Sequence, residues 1–167
     1  RAIEACGGYV DKFIGDGVMA IFGMKDGLQA GCRNALAATN AITETMERLN
    51  IELGPQLSAP LRVGMGLHAG PVILGRIGAV SGNSASARIT ALGDVVNIAS
   101  RLETATKELG HSLVVSSAVL EAAGYTCDLA GRTEIAVRGR RKPLDVFALD
   151  PPAHLVDTLG KSSPSPA

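Results

Sequence analysis

The segment YVDKFIGDGVMAIFG, residues 9–23, contains two apolar runs separated by Gly15-Asp16-Gly17. Glycine readily adopts the positive φ of a tight turn, so the segment predicts a β-hairpin with strands at 9–14 and 18–22. An Asn-Gly turn would close such a hairpin without a charged side chain. Lys12 in the first strand and Asp16 in the turn are therefore candidates for binding a ligand.

The residues around this hairpin predict further regular elements. Gly7-Gly8 ends a short helix before it. Across residues 28–49 apolar side chains recur every three or four positions, which predicts a long amphipathic helix. LRVGMGLH, residues 61–68, alternates strictly and predicts a strand with one packed face. Gly64 and Gly66 on its other face indicate that another backbone or a ligand approaches closely.

The second half of the chain mixes strands and helices. We predict strands at 72–74, 89–96, 112–116, 134–138 and 144–149, a loop at 78–87, and helices at 96–109 and up to residue 123. The predicted fold class is α+β, with a largely antiparallel β-sheet flanked by helices. Residues 1–150 form one domain in this interpretation, and the Pro/Ser-rich residues 151–167 form a tail or linker.

Composition excludes several classes of function. The 167 residues carry 16 basic and 16 acidic side chains, so no single-sign field would attract nucleic acid or an anionic membrane. Aromatic residues make up only 3%, which argues against a stacking platform for single strands. No apolar run approaches the roughly 18 residues of a membrane span and no signal peptide is visible, so we expect no direct membrane contact from this segment.

The cysteines and histidines predict no metal or disulfide site. Cys6, Cys32 and Cys127 are an odd number without CxxC spacing, which favours reduced thiols in a cytoplasmic domain. His68 and His111 lack metal-ligand spacing, so we expect them to be structural or surface residues.

The segment LGDVVNIASRLE, residues 92–103, contains the clearest candidate for chemistry. Asn97 and Arg101 are four residues apart, so on a helix their side chains leave the same face, one turn from each other. Val96, Ala99, Leu102 and Ala105 would hold the helix against the sheet on another face. An amide beside a guanidinium offers several donors to a phosphate ester or to a developing negative charge. Taken alone, such a pair is more often a solvated helix face.

Three motifs together point to one family. KFIGDGVMAIFG, VGMGLHAGPVILGRIG and ITALGDVVNIASRLE, in this order, resemble the catalytic domain of class III nucleotidyl cyclases, the adenylate and guanylate cyclases. The resemblance runs from about residue 7 to residue 149. It implies a ferredoxin-like, antiparallel-rich sheet flanked by helices, and a head-to-tail homodimer with the nucleotide at its interface. It also implies conversion of a nucleoside triphosphate to a 3′,5′-cyclic monophosphate and pyrophosphate, with in-line attack of the ribose 3′-oxygen.

The resemblance assigns roles to the hairpin and its partner. Asp16 matches one of two aspartates that bind two divalent ions, Mg²⁺ or Mn²⁺, and carboxylate oxygen is a ligand that such ions prefer. Lys12 matches a contact to the purine base, and Thr90 occupies the partner position. A lysine suits the acceptor N1 of adenine, whereas guanine carries an N1–H donor there. The implied substrate is therefore ATP. In a head-to-tail dimer, Lys12 and Asp16 of one chain would serve different active sites.

The same resemblance assigns the phosphate-binding residues. Asn97 matches the asparagine that orients the ribose, and Arg101 the arginine that stabilises the pentavalent phosphorus. Arg138 matches a basic residue, more often lysine, that holds the terminal phosphates. Related cyclases often carry an arginine four or five residues before Thr90, where this chain has Ala85 and Ser86. Arg88 is the nearest substitute, and its reach to the triphosphate stays open.

The chain also departs from the family at its start. The family's first metal-binding aspartate lies on a strand some tens of residues before the hairpin, and that strand and its helices are absent from the 167 residues. We therefore expect little or no cyclase activity from these 167 residues alone. Because the chain does not begin with Met, we expect it to come from a longer protein with a regulatory domain upstream.

Two alternatives remain at this point. The first is a degenerate cyclase-like module that dimerises or binds nucleotide to regulate a partner, and the second is a guanylate cyclase. The presence of all five motif residues favours an active adenylate cyclase over a degenerate copy; they are Lys12, Asp16, Thr90, Asn97 and Arg101.

Overall fold

The computed structural model describes residues 1–77, 88–125, 131–137 and 142–149. Its helices are α1 (Ala2–Ala5), α2 (Gly27–Leu53), α3 (Asp94–Leu109) and α4 (Ser117–Ala123). Its strands are β1 (Tyr9–Ile14), β2 (Gly17–Ile21), β3 (Met65–Leu67), β4 (Ile73–Ile77), β5 (Arg88–Leu92), β6 (Leu113–Ser116), β7 (Arg132–Ile135) and β8 (Leu144–Leu149). In the described part of the chain, no helix has the length and hydropathy needed to cross a bilayer.

Within the described residues, the β structure consists of a four-stranded sheet and two hairpins. The sheet has the order β3-β6-β8-β7, in which β3 and β6 are parallel and the other pairs are antiparallel. Strands β1 and β2 form one antiparallel hairpin, and β4 and β5 form another. The predicted α+β class with a largely antiparallel sheet is confirmed.

The core lies on both faces of β6. Leu113 and Val115 face a cluster that includes side chains of α2 and α4, whereas Val114 packs on the other side with Ile98 and Leu102 of α3. All four residues of β6 are buried, which explains why Leu113, Val114 and Val115 are consecutive apolar residues that do not alternate with polar ones. The sheet is thus fixed between α2 and α4 on one face and α3 on the other.

The glycines of residues 61–68 accommodate a helix. A Cβ at Gly66 would meet the backbone nitrogen of Glu103 and the backbone oxygen of Ala99, and one at Gly64 would meet Thr106 Oγ1. All three atoms belong to α3. The predicted close approach is therefore confirmed: the backbone of α3 approaches Gly66, and a side chain of α3 approaches Gly64.

The strand predicted at 61–68 is shorter than expected. β3 contains only Met65–Leu67. The side chain of Asn50, near the end of α2, accepts a hydrogen bond from the backbone N–H of Leu61 at 2.7 Å and donates to its carbonyl at 3.0 Å. These two bonds hold Leu61 against α2, so its backbone groups do not join a ladder.

The other boundaries agree within about four residues. The strand predicted at 89–96 is β5, which ends at Leu92, and residues 94–96 are already part of α3. α3 and α4 end at Gly110 and Gly124, which have φ of 73° and 85° as expected for glycines after helices. The last hairpin begins earlier than predicted, because β7 is Arg132–Ile135 where a strand at 134–138 was expected. Residues 78–87, 138 and 151–167, which include a predicted loop, a predicted site residue and the predicted tail, lie outside the described residues.

Cys32 should react slowly with thiol reagents. Its side chain lies in the core with 6% exposure, and burial raises the pKa of the Cys32 thiol. The reactive thiolate is therefore scarce, whereas Cys6 is a free thiol with partial exposure. In a time course with iodoacetamide read by peptide mass spectrometry, Cys6 should be modified well before Cys32. Equal rates in the folded protein would contradict the packing of α2.

Candidate active site

The β1/β2 hairpin contains a bulge beside Lys12. Val10 pairs with Ala20 and Lys12 pairs with Met19, so Asp11 is an extra residue without a partner on β2. A bulge of this kind re-aims side chains that regular alternation would place on opposite faces. Here Asp11 is directed inward and is only 4% exposed.

Asp11 connects the two residues expected at the purine base. Thr90 Oγ1, on β5, donates a hydrogen bond to Asp11 Oδ2 at 2.7 Å across a separation of 79 residues. Lys12 Nζ lies 3.6 Å from the same Oδ2. Thr90 is buried, whereas the Lys12 side chain is 43% exposed. One buried carboxylate oxygen therefore lies next to both Lys12 and Thr90.

Sequence reasoning missed Asp11. The signal that could have identified it is a carboxylate inside an apolar strand, directly before a lysine. Buried carboxylates need hydrogen-bond partners, and this one finds its partners on its own strand and on β5.

Asp16 lies at the open end of the same hairpin. Gly15 has φ of 61° in the turn, and the Asp16 side chain is exposed. Its carboxylate is free of the core and has the chemistry of a Mg²⁺ ligand. Within the described ranges, no three His, Cys, Asp or Glu side chains are grouped closely enough to hold a metal ion. Among the described residues, Asp16 could therefore supply one ligand of a two-ion site, but these residues do not form a complete metal site.

Asn97 and Arg101 are both exposed on α3, one turn apart. Ile98, Leu102, Ala105 and Thr106 form the buried side of the helix. The predicted anchoring face was therefore partly wrong, because Ile98 is buried where Val96 and Ala99 are only partly so. The amide and the guanidinium are nevertheless held at fixed positions on a rigid helix and are open to a ligand.

The described residues of the predicted site lie outside the cleft at the start of α3. A cleft of about 500 Å³ lies at the start of α3, next to residues 68–71. None of Lys12, Asp16, Thr90, Asn97 and Arg101 is among its lining residues. The structure places Lys12 and Thr90 in one cluster and Asn97 and Arg101 one turn apart on α3. Arg138 and the side chain of Arg88 lie outside what it describes.

Apolar side chains are exposed around the hairpins. Phe13, Ile14 and Val18 near the tip of the β1/β2 hairpin are 76%, 63% and 46% exposed. Ile73 on β4 and Leu92 on β5, which pair across the second hairpin, are 72% and 49% exposed. Exposed apolar groups at this density are typical of an interaction surface.

Comparison with solved structures finds the same fold in known cyclases. The guanylyl cyclase Cya2 superimposes with a TM-score of 0.72 at 26% identity, covering 90% of this chain and 75% of that one. The adenylyl cyclase CyaB from P. aeruginosa superimposes with a TM-score of 0.71 at 28% identity, covering 88% and 74%.

Sequence comparison points the same way. An adenylate cyclase of Anabaena cylindrica is 34% identical over 72% of this chain, and retinal guanylyl cyclase 2 of Bos taurus is 30% identical over 78% of it. The chain spans only 23% and 12% of the lengths of these two proteins. Residues 3–150 match the model of the adenylate and guanylate cyclase catalytic domain. The chain belongs to this family of cyclase catalytic domains.

Proposed function

We propose that this domain is an adenylate cyclase that converts ATP to 3′,5′-cyclic AMP and pyrophosphate. The observation that carries the proposal is the cluster of Lys12, Asp11 and Thr90, which unites two distant residues at one buried carboxylate oxygen. A lysine ammonium is a donor only, so it suits the N1 acceptor of adenine and opposes the N1–H of guanine.

Two side chains of α3 would act on the ribose and the reacting phosphate. Asn97 would hold the ribose so that its 3′-oxygen lies in line with the α-phosphorus, which is a contribution of positioning. Arg101, one turn further on, would donate hydrogen bonds to the oxygens on which negative charge develops. Arg138 is proposed to bind the terminal phosphates.

Cyclases of this family generally use divalent metal ions. Asp16 would supply one carboxylate ligand to two Mg²⁺ or Mn²⁺ ions. Bound there, the ions would supply activation of the 3′-oxygen and neutralisation of the triphosphate. The exposed position of Asp16 on a short turn suits a ligand that meets its ions together with a nucleotide held elsewhere.

We propose that the active site forms between two copies of this domain, arranged head to tail. Asp16, Asn97 and Arg101 are exposed and outside the described clefts, so a second surface is needed to enclose a nucleotide. The apolar side chains at 13, 14, 18, 73 and 92 offer such a surface. A regulatory domain in the same protein and a cytoplasmic location are part of this proposal.

The choice of base tests the proposed substrate. The protein as encoded by its gene should form cyclic AMP from ATP faster than cyclic GMP from GTP, both with Mn²⁺ and quantified by chromatography. Lys12→Glu combined with Thr90→Cys should shift the ratio toward GTP, because a carboxylate accepts from the guanine N1–H. The matched control is Lys25→Glu with Thr104→Cys, two exposed positions outside the proposed site, which should leave the ratio unchanged.

Each alternative predicts a different result. A guanylate cyclase would prefer GTP before any substitution. A degenerate regulatory module would form neither cyclic nucleotide, although it could still bind ATP or dimerise. Either outcome would overturn the proposed function.

A further inference from the structure

We propose that Asp11 is a positioning residue that sets base specificity, by fixing the Thr90 hydroxyl as a hydrogen-bond acceptor toward the 6-amino group of adenine. The inference rests on the proposed function and extends it to a residue outside the motif set. Asp11 does not touch the base in this proposal. It acts through Thr90.

The Thr90 hydroxyl has only one hydrogen to donate, and Asp11 accepts it. A threonine hydroxyl has one hydrogen to donate and two lone pairs, whereas a carboxylate only accepts. The 2.7 Å bond from Thr90 Oγ1 to Asp11 Oδ2 therefore uses the single hydrogen of Thr90. With Thr90 at 5% and Asp11 at 4% exposure, little water is available as an alternative acceptor. What Thr90 Oγ1 can still offer is lone pairs.

The two purines differ at the atom that such a hydroxyl would meet. Adenine carries an amino group at position 6, which donates to a lone pair. Guanine carries a carbonyl oxygen there, which would face another acceptor without a hydrogen between them. A site built to hydrogen-bond one group rejects an analogue that leaves its buried polar atoms unpaired. Lys12 makes the matching distinction at N1, and its Nζ lies 3.6 Å from the same Asp11 oxygen.

The second hairpin leaves room beside Thr90. Gly75 on β4 lies directly opposite Thr90 in the antiparallel ladder, where the two side chains would share a face. A Cβ added at Gly75 would meet only Leu92 Cδ1, at 3.9 Å. Gly75 therefore places no side chain over Thr90 at this register position. Because Thr90 is only 5% exposed, the edge of a base would have to reach its hydroxyl through this gap.

The bulge in β1 makes the arrangement possible. In a regular strand Asp11 and Lys12 would point to opposite faces. The extra residue at Asp11 lets the carboxylate reach Thr90 while its oxygen stays next to the Lys12 ammonium. The Asp11 carboxylate thereby positions both the Thr90 hydroxyl and the Lys12 ammonium.

The test is Asp11→Asn in the protein as encoded by its gene, assayed with three triphosphates. ATP has the 6-amino group, inosine triphosphate has a 6-carbonyl, and purine riboside triphosphate has only hydrogen at position 6. An asparagine amide can donate to Thr90 and release its hydroxyl hydrogen. We expect the ratio of kcat/KM for ATP over inosine triphosphate to fall about tenfold, an effect of the size expected for one hydrogen bond. Purine riboside triphosphate has no group at position 6 that could bind Thr90. Its kcat/KM should therefore change by less than about twofold.

A double-mutant cycle shows whether Asp11 changes the kcat/KM ratio through Thr90 or through Lys12. Thr90→Val should lower the same ratio, and adding Asp11→Asn to it should change the ratio no further. Asp145→Asn is the matched control, since Asp145 is a carboxylate on β8 that pairs with Arg132 at 3.3 Å. It should leave the ratio unchanged. If Asp11→Asn does not fold, Thr90→Ser should retain the ratio and Thr90→Val should lose it.

The inference fails if Asp11→Asn keeps the native ratio, or if it lowers the ratio equally in the Thr90→Val background. It fails too if the rate with purine riboside triphosphate falls as much as that with ATP, since Asp11 would then act through Lys12. In all three cases the unmodified protein still prefers ATP. A preference for GTP, or no turnover, would instead reject the proposed adenylate cyclase itself.

Discussion

Replacing Arg101 with alanine is expected to lower kcat for cyclic AMP formation by about 10² to 10³-fold, with a much smaller change in KM. Arg101 is exposed on α3, whose buried side is anchored by Ile98 and Leu102, so the substitution should not disturb the fold. The lost donors are those proposed to meet charge that develops only in the transition state, which is why kcat carries the effect.

Two further variants on α3 test whether the loss of activity is due to the Arg101 guanidinium and not to the loss of any positive charge. Lys107→Ala removes another exposed cation of α3 and should stay within about twofold of the native kcat. Arg101→Lys keeps the charge but loses the planar fork of donors, so we expect partial activity at best. Steady-state kinetics on the protein as encoded, with its melting temperature as a check of folding, provide the measurement. An Arg101→Ala variant with near-native kcat would remove Arg101 from the proposed mechanism.

Gly66→Ala is expected to destabilise the fold by about 3 kcal/mol. The new Cβ would overlap the backbone nitrogen of Glu103 and the backbone oxygen of Ala99. Backbone atoms in the middle of a helix cannot rotate away as a side chain can, so β3 and α3 would have to separate. That movement would loosen the core on the α3 face of the sheet, where Leu102 is fully buried.

Gly75→Ala is the control for this substitution. It too places a methyl group on a strand glycine, but the nearest atom is Leu92 Cδ1 at 3.9 Å, an ordinary van der Waals distance. We expect its unfolding midpoint in urea to stay close to that of the unmodified protein, while the midpoint of Gly66→Ala falls clearly. Equal midpoints for the two variants would show that α3 does not press on β3 as described.

Local sequence patterns were sufficient for most elements of this fold. The periodic apolar residues of α2, the Gly15-Asp16-Gly17 turn and the glycines that end α3 and α4 each act within a few residues, so they can be read without the fold. The glycines at 64 and 66 correctly indicated the close approach of another element, whose backbone meets Gly66 and whose Thr106 side chain meets Gly64. Their partner could not be named, because α3 lies far away in the sequence.

Features that depend on distant contacts could not be predicted. β3 begins later than predicted because Asn50, on another element, binds the backbone of Leu61. The bulge at Asp11 and its bond to Thr90 arise only when β1 and β5 come together, across 79 residues. Family resemblance indicated that Lys12 and Thr90 act together. It did not indicate that the Asp11 carboxylate lies between them.

The placement of Asp11 also bears on how this domain could be re-engineered. Glutamate at position 12 would put a second carboxylate beside one that is 4% exposed, where the Lys12 ammonium now lies 3.6 Å away. Two like charges in such surroundings repel each other strongly. A switch toward guanine at positions 12 and 90 alone would therefore carry an electrostatic penalty in the hairpin. Adding a neutral residue at position 11 should recover the lost stability, so a switch at all three positions should give a more stable domain than a switch at 12 and 90 alone.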